Sequence, residues 1–332
     1  MSNQQTVLYD APGPRARRLT LIGSIVAAAL VLVGVYFFVY LPLDEKGQFS
    51  MELWGPLIDP SNEFFTPVWK RLGEGFKATL IAAGLAIVTS LVLGTALAVL
   101  RVQLKALLKR RFTGLGAAAA VPLRALSWLL ATITRFFVEV FRGLPVVITI
   151  FFVSVALPDQ GLDLGSALWY LVVGLTLYNM VVIGEILRSG MEGLPGGQRE
   201  AAEAIGLSTF QTIRTVLLPQ SFRIMLPALI GQLVVVLKDT SLGFIISYEE
   251  ALRVSSQIYQ ALEPPNPIQV YTVVGVIYIT VNYSLSKLAQ YTQSRLARGR
   301  KVAKTSTGDV PAPAAVAGTY DASAGGGLGG AA

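Results

Sequence analysis

The chain has 332 residues, of which 53% are hydrophobic and only 14% charged, and its formal net charge is +7. An ordinary soluble domain carries roughly 25% charged residues. Cysteine and histidine are both absent, which excludes disulfides, thiol chemistry, thiolate metal sites and imidazole bases or ligands. The apolar residues fall in blocks of about 20, the length at which an α-helix crosses about 30 Å of hydrocarbon. The ~10-residue alternating strands of a membrane barrel are not visible. The fold class expected is therefore an all-α polytopic membrane protein.

Residues 1–18 are polar, with Arg15, Arg17 and Arg18 at their end, and Leu19–Leu41 then runs apolar without a charge. That run exceeds the ~7–15-residue core of a cleaved signal peptide, so it is expected to be an uncleaved first transmembrane helix. Residues 42–74 mix Asp44, Glu45, Glu52, Asp59, Glu63 and Glu74 with Lys46, Lys70 and Arg71, and Pro56, Pro60 and Pro67 break them up into a loop. The second span is expected over Phe76–Leu100, where Gly84, Gly94 and several alanines permit close helix approach. A basic loop follows, with Arg101, Lys105, Lys109, Arg110, Arg111 and Arg124. Residues 125–157 read as one long helical stretch kinked at Gly143-Leu144-Pro145, since Pro145 removes a backbone donor and clashes one turn back. The fourth span is expected over Ala167–Leu187, the fifth from about Phe222 to Ile246, and the sixth over Ile268–Leu288. The last carries Tyr271, Tyr278 and Tyr283, most simply interfacial or packing aromatics. Lys287 begins another basic cluster, and the Ala/Gly/Pro/Ser/Thr-rich end of the chain cannot bury a core and reads as a disordered tail.

Six spans place both termini on one side. The loops at 1–18, 101–124, 188–221 and 287–304 then share a side and hold most of the Lys and Arg, while those at 42–74, 158–166 and 247–268 lean acidic. Basic loops mark the cytoplasm, so the surplus charge is read as topology rather than as nucleic-acid binding. The expected arrangement is a multi-pass protein of the cell membrane with both termini cytoplasmic.

Two stretches carry chemistry. Residues 191–221 contain a short polar helix with Glu200, Ala201, Ala202 and Glu203, then Gly206 as a helix terminator, then a second helix expected to end before Pro219. Small residues with flanking carboxylates suit insertion into a partner's groove; a plain amphipathic connector on the membrane surface is the simpler alternative. The second stretch is Lys238-Asp239-Thr240, charged within an apolar run, where ionisable groups face a bundle interior or a wet path. It is expected to pair structurally, with Glu139, Glu185 or Arg142 as partners, or else to contact a substrate. Glu139, Arg142, Glu185 and Arg188 lie nearer a membrane boundary and suit gating of an inner vestibule. No G-x-x-x-x-G-K-[ST] phosphate loop is present, so ATP chemistry by this chain is not expected.

Glu200-Ala201-Ala202, then Gly206, then Val216-x-Leu218-Pro219 resembles the EAA loop of ATP-binding-cassette importer permeases, with Val216 where isoleucine is usual. Phe141-Arg142-Gly143-Leu144-Pro145, Gly184-Glu185-Ile186-Leu187-Arg188 and Lys238-Asp239-Thr240-Ser241-Leu242 resemble segments of its polar amino-acid subgroup. The resemblance covers about 75–295; the first helix and the tail lie outside it. Val7-Leu8-Tyr9-Asp10-Ala11-Pro12-Gly13-Pro14 resembles the start of actinobacterial glutamate permease subunits.

Hydropathy and loop charge give a cytoplasmic N-terminal tail (1–18), one N-terminal helix (19–41), an extracytoplasmic loop (42–74) and, at the end, a basic, then disordered cytoplasmic tail (296–332). For the part between them the resemblance implies a five-helix permease core (75–295). It implies that Glu200, Ala201, Ala202, Glu203, Gly206, Leu218 and Pro219 belong to a coupling element seated on a cytoplasmic ATPase. Further partners would be a second permease subunit, identical or paralogous, an extracytoplasmic solute-binding protein and the bilayer. No cofactor is expected on this chain, since ATP is used by the partner, and the chain is not expected to be an enzyme. An ion-coupled secondary transporter is the alternative, although no internal repeat is visible. A membrane enzyme would have to work with carboxylates, Ser and Lys alone.

Overall fold

The computed structural model describes residues 13–109 and 117–298, and among them only helices occur. Helix α1 (Pro14–Val35) runs through a π-helical turn (Tyr36–Tyr40) into α2 (Leu41–Glu45), and a short α3 (Met51–Ile58) follows. Next come α4 (Phe65–Lys109), α5 (Ala117–Gly143), α6 (Val146–Asp159) and α7 (Ala167–Glu192). Helices α8 (Gly196–Ala204) and α9 (Thr209–Thr212) lead through a second π turn (Ile213–Leu217) into α10 (Leu218–Asp239). A 3-10 segment (Thr240–Ile246), α11 (Ala251–Ala261) and α12 (Pro267–Arg298) complete the described chain. Six helical runs are long and apolar enough to cross a membrane. Positions 1–12, 110–116 and 299–332 lie outside the described residues. These hold most of the glutamate-permease-like N-terminal stretch, Arg110 and Arg111, and the tail expected to be disordered.

The centre of the bundle is the α4–α7 pair, with α6 and α10 packed on α7. Close approach explains it. A Cβ on Gly94 would stand 2.9 Å from the Met180 carbonyl, and one on Gly184 would stand 3.0 Å from the Gly94 carbonyl. Gly84, expected to serve the same purpose, faces open space. Polar contacts between spans add to the packing: Gln232 Nε2 donates to Asn179 Oδ1 at 2.7 Å, and the Thr89 and Thr176 hydroxyls meet at 2.6 Å. Such bonds are each of the order of 1 kcal/mol in a membrane. At the acidic end, α3, α11 and the adjoining ends of α4 and α12 share a second core that includes Leu57, Leu72, Val254, Ile258 and Val270. Helix α1 buries no residue and packs along no bundle helix; the segment joins the bundle at its end, where Gln269 donates to the Gln48 carbonyl at 2.7 Å.

Three expectations need correction. The second span begins at Phe65, inside what the sequence suggested was loop, because Pro67 falls in the first helical turn, where its missing N–H has no intrahelical acceptor to lose. The helix before Pro219 does not stop there. Leu218 N–H bonds the Ile213 carbonyl, five residues back, and this wider turn lets the helix run on through the proline into α10. The same device precedes Pro42, where Leu41 N–H reaches the Tyr36 carbonyl. Finally, Lys238-Asp239 does not lie within a continuous helix: α10 ends at Asp239 and the backbone tightens to 3-10 geometry.

Candidate functional site

At the basic end, α7 finishes at Glu192 and the chain turns through Gly193, Leu194 and Pro195 into α8. The end of α8 is fixed by its backbone. Gly206, at φ +86°, donates to the Glu203 carbonyl at 3.0 Å, and Leu207 N–H reaches the Ala202 carbonyl at 3.1 Å. This is a Schellman closure, which needs a left-handed residue that glycine supplies at least cost. Helix α9 then starts on a reciprocal cap: Ser208 N–H donates to Gln211 Oε1 at 2.8 Å and Gln211 N–H to Ser208 Oγ at 3.3 Å. The two helices are thus a short rigid elbow.

Its faces are unequal. Ala202 is only 4% exposed and turned inward, so its expected place on a docking face is corrected: a helix rotates about 100° per residue, and the register puts Ala202 against the chain's own core. Ala201 is exposed, Ile205 is 77% exposed and Phe210 is exposed beside it. Glu200 and Glu203 line a cleft of about 700 Å³ between α8 and the last turns of α4, where Lys105 and Lys109 stand. Leu218 is half-buried against the apolar cluster behind the elbow, and Pro219 is exposed.

The sequence-nominated charges separate into three places. Glu185 and Arg188 come together on α7, with Arg188 Nε donating to both Glu185 oxygens at 3.0 Å. Arg101 of α4 pairs with the same carboxylate, and Glu192 takes Arg188 at 2.7 Å and Lys105 at 2.9 Å. Glu139 and Arg142 lie exposed on α5 with no ion-pair partner among the described residues. Lys238 opens onto a cavity of about 550 Å³ bounded by Tyr278, Asn282, Tyr283 and Ser286 of α12, while Thr240 is buried and donates to the Leu237 carbonyl at 2.6 Å. The expected pairing of Lys238-Asp239 with Glu139, Glu185 or Arg142 is not formed: Glu185 is held between two arginines, and Glu139 and Arg142 stand exposed on α5.

Residues 112–298 match the family described as the binding-protein-dependent transport system inner membrane component. The chain belongs to this family. The permease is a transport component rather than an enzyme, and the family gives the ion-coupled alternative no support. It is 38% identical over 261 residues to the glutamate transport system permease protein GluD of Corynebacterium glutamicum, covering 78% of this chain and 85% of that one. It is 33% identical over 226 residues to the probable glutamine ABC transporter permease protein GlnP of Bacillus subtilis, covering 68% and 93%. Its fold is similar to that in a crystal structure of an amino acid ABC transporter with histidines, with a TM-score of 0.54 at 22% identity over 70% of this chain and 95% of that one.

Three groups in the permease escaped the sequence reading. Arg101 looked like one more basic loop residue. Ile205 sits in a polar loop, and only the orientation of α8 exposes it. Glu250 sits in a turn-rich acidic-side connection, yet it is fully buried. Its carboxylate caps α11, accepting from Leu252 N–H at 2.8 Å and Arg253 N–H at 2.7 Å, and Tyr278 Oη donates to it at 3.2 Å. Burial pushes its pKa up to about 7, against the opposing pull of those hydrogen bonds. A four-residue Glu-Ala-Leu-Arg start to an amphipathic helix is a signal that could have found it.

Proposed function

We propose that this permease is the membrane-spanning subunit of an ATP-driven importer of a polar amino acid, with glutamate as its substrate. The observation that carries this is the combination of extended identity to a glutamate permease with a rigid, apolar-tipped elbow at the basic end. The family's transport is binding-protein-dependent by description. The reading therefore includes a solute-binding protein at the acidic end, a second permease subunit across the path and an ATPase at the basic end. Loop charge orients the chain: the basic end faces the cytoplasm and both termini lie there. Residues 191–221 form the coupling loop, with Glu200, Ala201, Glu203, Ile205, Gly206 and Phe210 at its working surface. Leu218 and Pro219 continue it into α10. Glu139, Arg142, Lys238 and Asp239 are the candidates for the path, with Thr240 as the buried polar neighbour of the last two: unpartnered charges in a span suit a water-filled route better than lipid.

Substrate is tested by competition. Vesicles holding this permease with its ATPase and binding protein should accumulate labelled glutamate, and excess unlabelled glutamate should suppress this more than glutamine or histidine does. Stronger suppression by either of the others would overturn glutamate and leave the importer reading standing.

A further inference from the structure

The five charges at the junction of α4 and α7 form a connected network, and its position suggests a purpose beyond packing. Arg101 and Lys105 are one turn apart on α4, and Glu185, Arg188 and Glu192 follow at three- and four-residue spacing on α7, so each set lies along one helix face. Every carboxylate is held by two cations: Glu185 by Arg101 and Arg188, Glu192 by Lys105 and Arg188. The Arg101, Glu185, Arg188 and Glu192 side chains are only 20–26% exposed, so solvent screens them less than an ordinary surface pair.

The helices do not need this network to stay together. Just inside it, Ala98, Val102, Ile183, Leu187 and Met191 are buried in one apolar cluster. Just outside it, the cleft of about 700 Å³ separates the last turns of α4 from α8; α8 packs on α9 and the π turn, and α4 reaches the elbow through α9 and through Ala98 and Val102, which share an apolar cluster with Ile213 and Leu217. Helix α7, by contrast, runs into α8 over three residues, Gly193, Leu194 and Pro195.

We propose that Arg101 and Glu185 are positioning residues of the transport cycle: they tie α4 to the root of α8, so that displacement of α8 moves α4 instead of closing the cleft. This rests on the proposed docking of an ATPase on α8. The physical basis is leverage: a force on α8 can deform an open cleft freely, whereas a charged network with fixed guanidinium geometry resists separation and rotation.

The chain has no cysteine, so thiols introduced at Ala106 and Ala201 would be its only sites for a pair of spin labels across the cleft. In the purified permease alone, the label distance should be narrowly distributed in the parent and in Arg101→Lys, and broadened in Arg101→Gln. In the assembled complex, Arg101→Gln should keep ATP hydrolysis within about twofold and lose uptake by roughly tenfold, with Arg101→Lys recovering most of it. An unchanged label distribution in Arg101→Gln overturns the tie, as does a parallel fall of uptake, hydrolysis and yield. If no ATPase assembles on the parent, the docking reading falls, and the label measurement still decides the tie.

Discussion

Ile205→Glu is expected to abolish co-purification of the ATPase while leaving the permease's own melting temperature within a degree or two. Ile205 is 77% exposed, so its side chain contributes little to the isolated fold. As a C-cap residue with φ −87° and ψ 10°, it places no special demand on the backbone. A carboxylate there would be desolvated in an apolar groove without a partner, a loss of at least ~2 kcal/mol, or about 30-fold in affinity, if Ile205 is an interface anchor. Two neighbours are the controls. Ala202→Trp should lower stability and yield before any partner is added, because the site is internal and overpacking costs about 1–3 kcal/mol. Gly206→Val should weaken the elbow by about 1–2 kcal/mol, since φ +86° is strained for a branched residue. Undiminished pull-down with Ile205→Glu would remove α8 from the interface.

Permease stability should fall as pH rises from about 4.5 to 7, and Glu250→Gln should flatten that fall. Glu250 lies outside the membrane spans, and its folded-state pKa is raised from 4.5 to about 7 by burial. Because the folded state holds this proton to higher pH than the unfolded chain, the contribution of Glu250 to stability is greatest below 4.5, declines through the interval and is level above 7. The full shift corresponds to about 3 kcal/mol at most, at about 1.4 kcal/mol per pH unit. Glu250→Gln should match the parent near pH 5 and exceed it near pH 8. Glu250→Ala should be worse at both, because it leaves two part-buried N–H groups at the start of α11 without their cap, about 1–3 kcal/mol. Thermal unfolding in detergent across that range reads all three. A stability difference between parent and Glu250→Gln that does not change between pH 5 and pH 8 would contradict the assignment.

What the sequence disclosed and what it withheld divide along physical lines. Apolar runs of bilayer length declare themselves without any knowledge of packing, and so the six spans were legible. The elbow was legible through Gly206, whose position after an alanine-rich turn has few other uses. Helix ends were less so: Pro67 and Pro219 look like breaks, yet a first-turn position and a π turn absorb them. Facing was not legible at all. Whether Ala201 or Ala202 points inward depends on which side of α8 meets the core, and Arg101, one of the two partners of Glu185, is 84 residues away in the chain. Glu250 stayed hidden because a short helix amid Glu263, Pro264 and Pro265 reads as loop until its packing against α4 and α12 is seen.

This chain should move an amino acid only when an ATPase acts on it. The decisive measurement is uptake in vesicles that contain the permease with its ATPase and binding protein, with ATP inside and with the ion gradients collapsed. Accumulation should persist without any gradient and vanish when ATP is replaced by a non-hydrolysable analogue. Accumulation driven by a proton or sodium gradient, with the permease alone and no ATP, would contradict it.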